Sequence, residues 1–305
     1  MTRSRVDTVC VLTDWLLTTW QLRSLERIQE RLDVEIPLVV VDGTTVPKPK
    51  SGSSGGLLVD AGYSVADFAE RAISRRAWSL VVAERKLAAA LGDGHPLGEC
   101  RPVADADCFD GAEIRSVKPI TEGVWSELPQ ETVDEIASRC DVVVRYGFGL
   151  LRGDVLEATE HGVLSFHPGD IRRYRGMGTP KAFVDGAPRA GVTLQRLNEG
   201  IDAGEIIAEG DVDTEGCATL WDVRDRQQRL QIALLAEGIR NVGDPSFEPT
   251  VPESLGPYYS PTAKLTVGFA LRVLGKNIEG RLSDRRRESV SGSSSESRVQ
   301  PRSPR

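Results

Sequence analysis

Short runs of β-branched residues alternate along this chain with longer segments that are apolar at helical spacing. Residues 6–12 ("VDTVCVL") and 36–42 ("IPLVVVD") flank the helix-like "LTTWQLRSLERIQERL". Later come "EIRSVKPI", the helix-like "PQETVDEIASRC", "DVVVRYGFG", "GDVLEATEHG" (read as a helix closed by Gly162) and the strand "VLSFH", residues 163–167. Strands spaced by helices of this length build βαβ units, so the pattern predicts an α/β fold with a mostly parallel sheet covered on both faces. Residues 190–212 break the alternation. There, two strand-like segments flank "NEGIDAG" and predict an antiparallel hairpin.

This reading gives a domain over 1–245, with a helix at about 218–243. A C-terminal extension over 246–283 follows, whose basic amphipathic segment 264–282 is expected to pack on the domain. Residues 284–305 are almost free of apolar side chains and predict a disordered tail. A helix is also expected from about 64 to 91, after a Pro, Gly and Ser-rich loop at 47–62. That loop has no GxxxxGK[ST] pattern and does not directly follow the first strand, so phosphate cradling is disfavoured.

Charge narrows the partners. The chain of 305 residues carries a net charge of -7, which argues against nucleic acid as a partner, although residues 264–305 hold ten Lys or Arg against four Asp or Glu. No apolar run is long enough to span a membrane and the N-terminus enters a strand pattern directly, so no membrane contact and a cytoplasmic location are expected. Five scattered cysteines form no CxxC pair and are expected to be buried free thiols.

The reactive position is His167. It ends the strand "VLSFH", and Pro168 and Gly169 force the chain out of the sheet at the edge where ligands of open parallel sheets collect. A hairpin paired beside this strand brings the Asp202 turn next to His167. The two are expected within hydrogen-bond reach, a pairing that orients an imidazole and stabilises its charged form for proton transfer. From the residues alone, a structural histidine is the competing reading. A metal triad of His167, Asp170 and Asp202 is disfavoured, because no second histidine is well placed. His161 is expected at a solvent-exposed helix end.

The stretches "GVLSFHPGDIRRYRG" and "AGVTLQRLNEGIDAGEII" resemble the catalytic core of formyltransferases that use 10-formyltetrahydrofolate, the group acting on methionyl-tRNA, glycinamide ribonucleotide and sugar amines. His167, Pro168, Arg175, Gly176, Gly191, Val192, Thr193, Asp202 and Gly204 match that pattern, over about residues 140–213. The resemblance implies a Rossmann-like, mostly parallel sheet with an antiparallel hairpin after the catalytic strand. It implies an enzyme that takes its formyl group from 10-formyltetrahydrofolate and passes it to a primary amine of a small molecule. It also implies catalytic roles for His167 and Asp202, a folate pocket walled by Phe148, Gly149, Leu150, Glu199, Gly200 and Ile201, and a substrate contact from Arg175. Ser165 departs from the pattern. The family carries asparagine there and uses its amide as the donor to the developing oxyanion. Two alternatives stand beside formyl transfer: a formyl-folate hydrolase of the same fold, in which water replaces the amine, and a folate-binding or regulatory protein that has lost catalysis, for which Ser165 is the motivating feature.

Overall fold

In the computed structural model, which describes residues 5–45, 78–260 and 266–295, the main sheet has seven strands. They are β1 (Thr8–Thr13), β2 (Glu35–Asp42), β3 (Glu113–Val117), β4 (Val142–Arg145), β5 (Val163–His167), β6 (Arg189–Arg196) and β7 (Glu205–Asp213). Across the sheet the order is β7-β6-β5-β4-β1-β2-β3. From β3 to β5 all neighbours are parallel, and β6 and β7 join as an antiparallel hairpin beside β5. The expected Rossmann-like α/β sheet with a hairpin after the fifth strand is the fold observed.

Alternation explains the two cores. In β1, Val9 and Val11 face one side with α1 (Thr19–Leu32) and α5 (Leu220–Val242), meeting Leu25, Ile28, Leu235 and Ile239. Cys10 and Leu12 face the other side and meet Val133 and Ile136 of α3 (Gln130–Arg139). Strands covered on both faces read as continuous apolar runs, which is why the parallel core was plain in the sequence.

Strand order reverses between β1 and β4. The two strand ends approach closely there: a Cβ on Gly147 would stand 2.5 Å from the carbonyl carbon of Thr13, so only glycine fits.

Several local expectations change. Segment 153–162 forms only a single turn at Asp154–Leu156, because ten residues with Gly153 and Gly162 in left-handed conformations at its ends leave little room for a longer helix. His161 is fully buried, not exposed; past that turn its N–H bonds the Asp141 carbonyl at 3.1 Å as the chain returns under the sheet. Cys10, Cys108 and Cys140 are buried free thiols, but Cys100 is exposed. The short helix α4 (Gly178–Asp185) was not anticipated.

The loop 47–62 and residues 64–77 lie outside the described residues; the described part of the expected helix is α2 (Trp78–Ala90). The C-terminal helix α6 (Val267–Ser295) packs Phe269, Ala270 and Val273 against Val81 and Trp221. Its buried Asn277 accepts from the Leu220 N–H at 2.9 Å and donates to Glu84 at 3.0 Å. Helix α6 continues to Ser295, into the segment read as a tail. Low apolar content forbids a core but not a helical extension of a docked helix, whose nucleation is already complete. Residues 296–305 lie outside the described residues.

Candidate active site

His167 is the last residue of β5, and its register partner on β6 is Thr193. Thr193 is buried and donates to the Gly169 carbonyl at 2.8 Å, fixing the chain where it leaves the strand. The imidazole is held at both ends. Nδ1 lies 3.2 Å from Oδ1 of Asp202, and Nε2 lies 2.7 Å from the Tyr174 carbonyl oxygen. Packing around the ring is tight: a Cβ on Gly169 would come within 2.7 Å of Nε2.

Asp202 sits in the β6–β7 turn at φ 46, a left-handed conformation uncommon outside glycine that the neighbouring bonds enforce. Its Oδ2 accepts the Gly176 N–H at 2.7 Å, so one carboxylate ties the turn, the His167 ring and the loop after β5 together. Burial acts to raise the Asp202 carboxyl, but the hydrogen bond and charge of His167, the Gly176 N–H and the Gln195 side chain outweigh it and hold the group below its ordinary value.

Ser165 lies two residues before His167 on the same strand face, almost completely buried. Its in-register neighbour on β4 is Arg145, whose Nη1 donates to the Ser165 hydroxyl at 3.0 Å. Nε of Arg145 donates to the Gly147 carbonyl at 3.0 Å. Burial pulls this guanidinium down to about 10, against the opposing pull of the Asp202 and Asp14 carboxylates. It therefore remains charged at neutral pH, at the carboxyl end of β4.

The other expected site residues divide. Arg175 spends its guanidinium on the Gly256 carbonyl at 2.8 Å and the Ile201 carbonyl at 3.3 Å, so it clamps the turn to the C-terminal loop. Phe148 is only 1% exposed and belongs to the core with Leu151 and Val155, so its ring is not presented to a ligand. Gly149 is exposed and Leu150 half-buried, its strand pairing with Trp125. Glu199 joins Trp125, Glu127, Arg152 and Gly153 around a cavity of about 360 Å³. Gly200 is exposed at the tip of the turn. Asp170 is taken by Arg172, which also pairs with Glu209.

Two site residues escaped the sequence reading. Arg145 gives a signal in hindsight, as the one charged residue ending the otherwise apolar "VVVR" strand. Gln195 shares the strand face of Thr193; its amide oxygen accepts the Gly204 N–H at 2.9 Å, and its side chain helps hold the Asp202 carboxyl below its ordinary value. Polar residues two apart on a buried strand are its signal.

A buried imidazole, a turn carboxylate and a strand-end guanidinium thus lie at the carboxyl end of the sheet's β4 and β5 strands. Residues 118–239 match the sequence model of the family described as formyl transferase, and over that segment the chain is formyl-transferase-like in both sequence and fold. Methionyl-tRNA formyltransferase of Rickettsia felis is 30% identical over 111 residues, covering 36% of this chain and 36% of the relative. The Rickettsia bellii enzyme is 28% identical over 134 residues, covering 44% and 43%. The chain thus spans less than half the length of the curated relatives it matches. Among solved structures, a 4-N formyltransferase from Francisella tularensis shares the fold with a TM-score of 0.52 at 14% identity, over 90% of this chain and 87% of the other. A sugar N-formyltransferase from a Shewanella species gives 0.51 at 13% identity, over 88% of each.

Proposed function

We propose that this protein is an enzyme that transfers a formyl group from 10-formyltetrahydrofolate to a primary amine of a small molecule. The observation that carries the reading is the His167–Asp202 pair at the carboxyl edge of the sheet, inside the segment that matches the formyl transferase family.

The residues present suit such a donor. The cavity beside the β6–β7 turn has an aromatic wall in Trp125 and a carboxylate in Glu199, with Glu127 held by Arg152 on its other side, a surface that could take a flat, N–H-rich ring. Gly149 and the turn Glu199, Gly200 and Ile201 edge the same region. When bound, the donor supplies an activated formyl carbon; the chain supplies orientation and proton management. His167 holds a proton beside the reacting carbon, and its Nε2–H becomes available to substrate when the Tyr174 carbonyl yields it. Asp202 keeps the ring oriented through its contact with Nδ1. Arg175 keeps the turn in place through the Ile201 carbonyl.

The test is transfer of labelled formyl from 10-formyltetrahydrofolate to a panel of amino-sugar nucleotides and simpler amines, with a water-only control. Labelled amide with at least one amine supports the reading. Formate release that is independent of amine replaces it with hydrolysis, and intact donor in every sample despite folate binding replaces it with a binding role.

A further inference from the structure

Ser165 is poorly placed to meet a developing oxyanion by itself. The hydroxyl is nearly fully buried and already accepts a hydrogen bond from Arg145, leaving one rotatable proton on a short side chain. The stronger donor beside it is the guanidinium. Arg145 ends β4 at the sheet edge where the strand order reverses, and it is largely but not completely buried. Nε and Nη1 are committed to Gly147 and Ser165, while Nη2 has no hydrogen-bond partner among the described residues. Geometry links the cation to the imidazole through Ser165, which accepts from Arg145 at 3.0 Å and lies two residues before His167 on the same face of β5.

We propose that Arg145 is the oxyanion donor of this site, a catalytic residue contributed by β4, with Ser165 serving to aim its guanidinium. The inference rests on the formyl-transfer reading above. The step balances as follows: the amine lone pair forms the new C–N bond, and the carbonyl π pair moves onto the formyl oxygen, where Arg145 meets the negative charge. As that pair returns, the carbon–N10 bond breaks, and the proton lost by the amine passes by way of His167 to N10. A charged donor in a water-poor site outperforms a neutral hydroxyl here, because charge-assisted hydrogen bonds are roughly twice as strong.

The experiment compares wild type, Arg145→Ala, Arg145→Lys and Ser165→Ala for formyl release from 10-formyltetrahydrofolate, with folate-analogue binding and thermal melting measured on each. Arg145→Ala is expected to lower kcat by about 10² to 10³ with analogue binding retained, and added guanidinium ion is expected to restore part of the rate. Ser165→Ala is expected to lose less than Arg145→Ala. If Arg145→Ala does not fold, Arg145→Lys carries the test, with an expected loss of about tenfold or more because a single ammonium cannot span both the hydroxyl and the substrate oxygen. Turnover by Arg145→Ala within about threefold of wild type, while His167→Ala is inactive, overturns the role of Arg145 and leaves formyl transfer standing. Absence of turnover in wild type overturns both.

Discussion

The Asp202 carboxylate faces Nδ1 of His167 at 3.2 Å with one oxygen and the Gly176 N–H at 2.7 Å with the other. One side chain thus orders the ring, the hairpin turn and the loop that leaves β5. Asp202→Asn should keep the fold but lower turnover by about 10² or more, since a neutral amide no longer gives Nδ1 of His167 a carboxylate partner. Steady-state kinetics check this; a kcat within a few-fold of wild type would remove Asp202 from the mechanism.

The same contacts make stability depend on pH. Because the folded-state carboxyl is held below its ordinary value, the native protein binds fewer protons than the unfolded chain, and this contribution is present above the unfolded value of about 3.9 and lost as pH falls through the lower folded value. The melting-temperature difference between wild type and Asp202→Asn should therefore be largest near neutrality and shrink below about pH 4. A difference that grows on acidification would contradict the assignment.

Much of this was legible in the sequence, for physical reasons. Strands buried on both faces must be apolar throughout, so β1, β2, β4 and β5 stood out, and Pro168 and Gly169 marked the edge where His167 sits. The hairpin turn carried Asp202 to it because β6 pairs directly with β5. Arg145 was not legible as a partner of Ser165, since that contact depends on the parallel register of β4 against β5, which no local pattern encodes. The burial of Phe148 was not legible for a related reason: its ring packs in the core from a left-handed backbone, whereas a sequence motif gives residue type without direction.

Gly147→Ala should destabilise the fold by about 1–3 kcal/mol, because the added methyl meets the backbone of Thr13 and Asp14 and the ends of β1 and β4 must move apart. Urea denaturation measures it. A stability equal to wild type would show that the strand ends are not so closely apposed.

Helix α6 is tied to the domain through Asn277, so Asn277→Ala should cost about 1–3 kcal/mol by leaving the buried Leu220 N–H without a partner. Chemical denaturation checks the magnitude, and amide exchange at Leu220 checks the cause. Unchanged protection at Leu220 would show that the helix docks without this bond.

The central claim is that His167 carries formyl chemistry. The most direct measurement is the single-turnover rate of formyl loss from 10-formyltetrahydrofolate by wild type and His167→Ala, both saturated with donor, with a productive amine present. The account predicts a rate lower by about 10² to 10⁴ in the variant with donor binding nearly unchanged. Equal rates in the two proteins would contradict it.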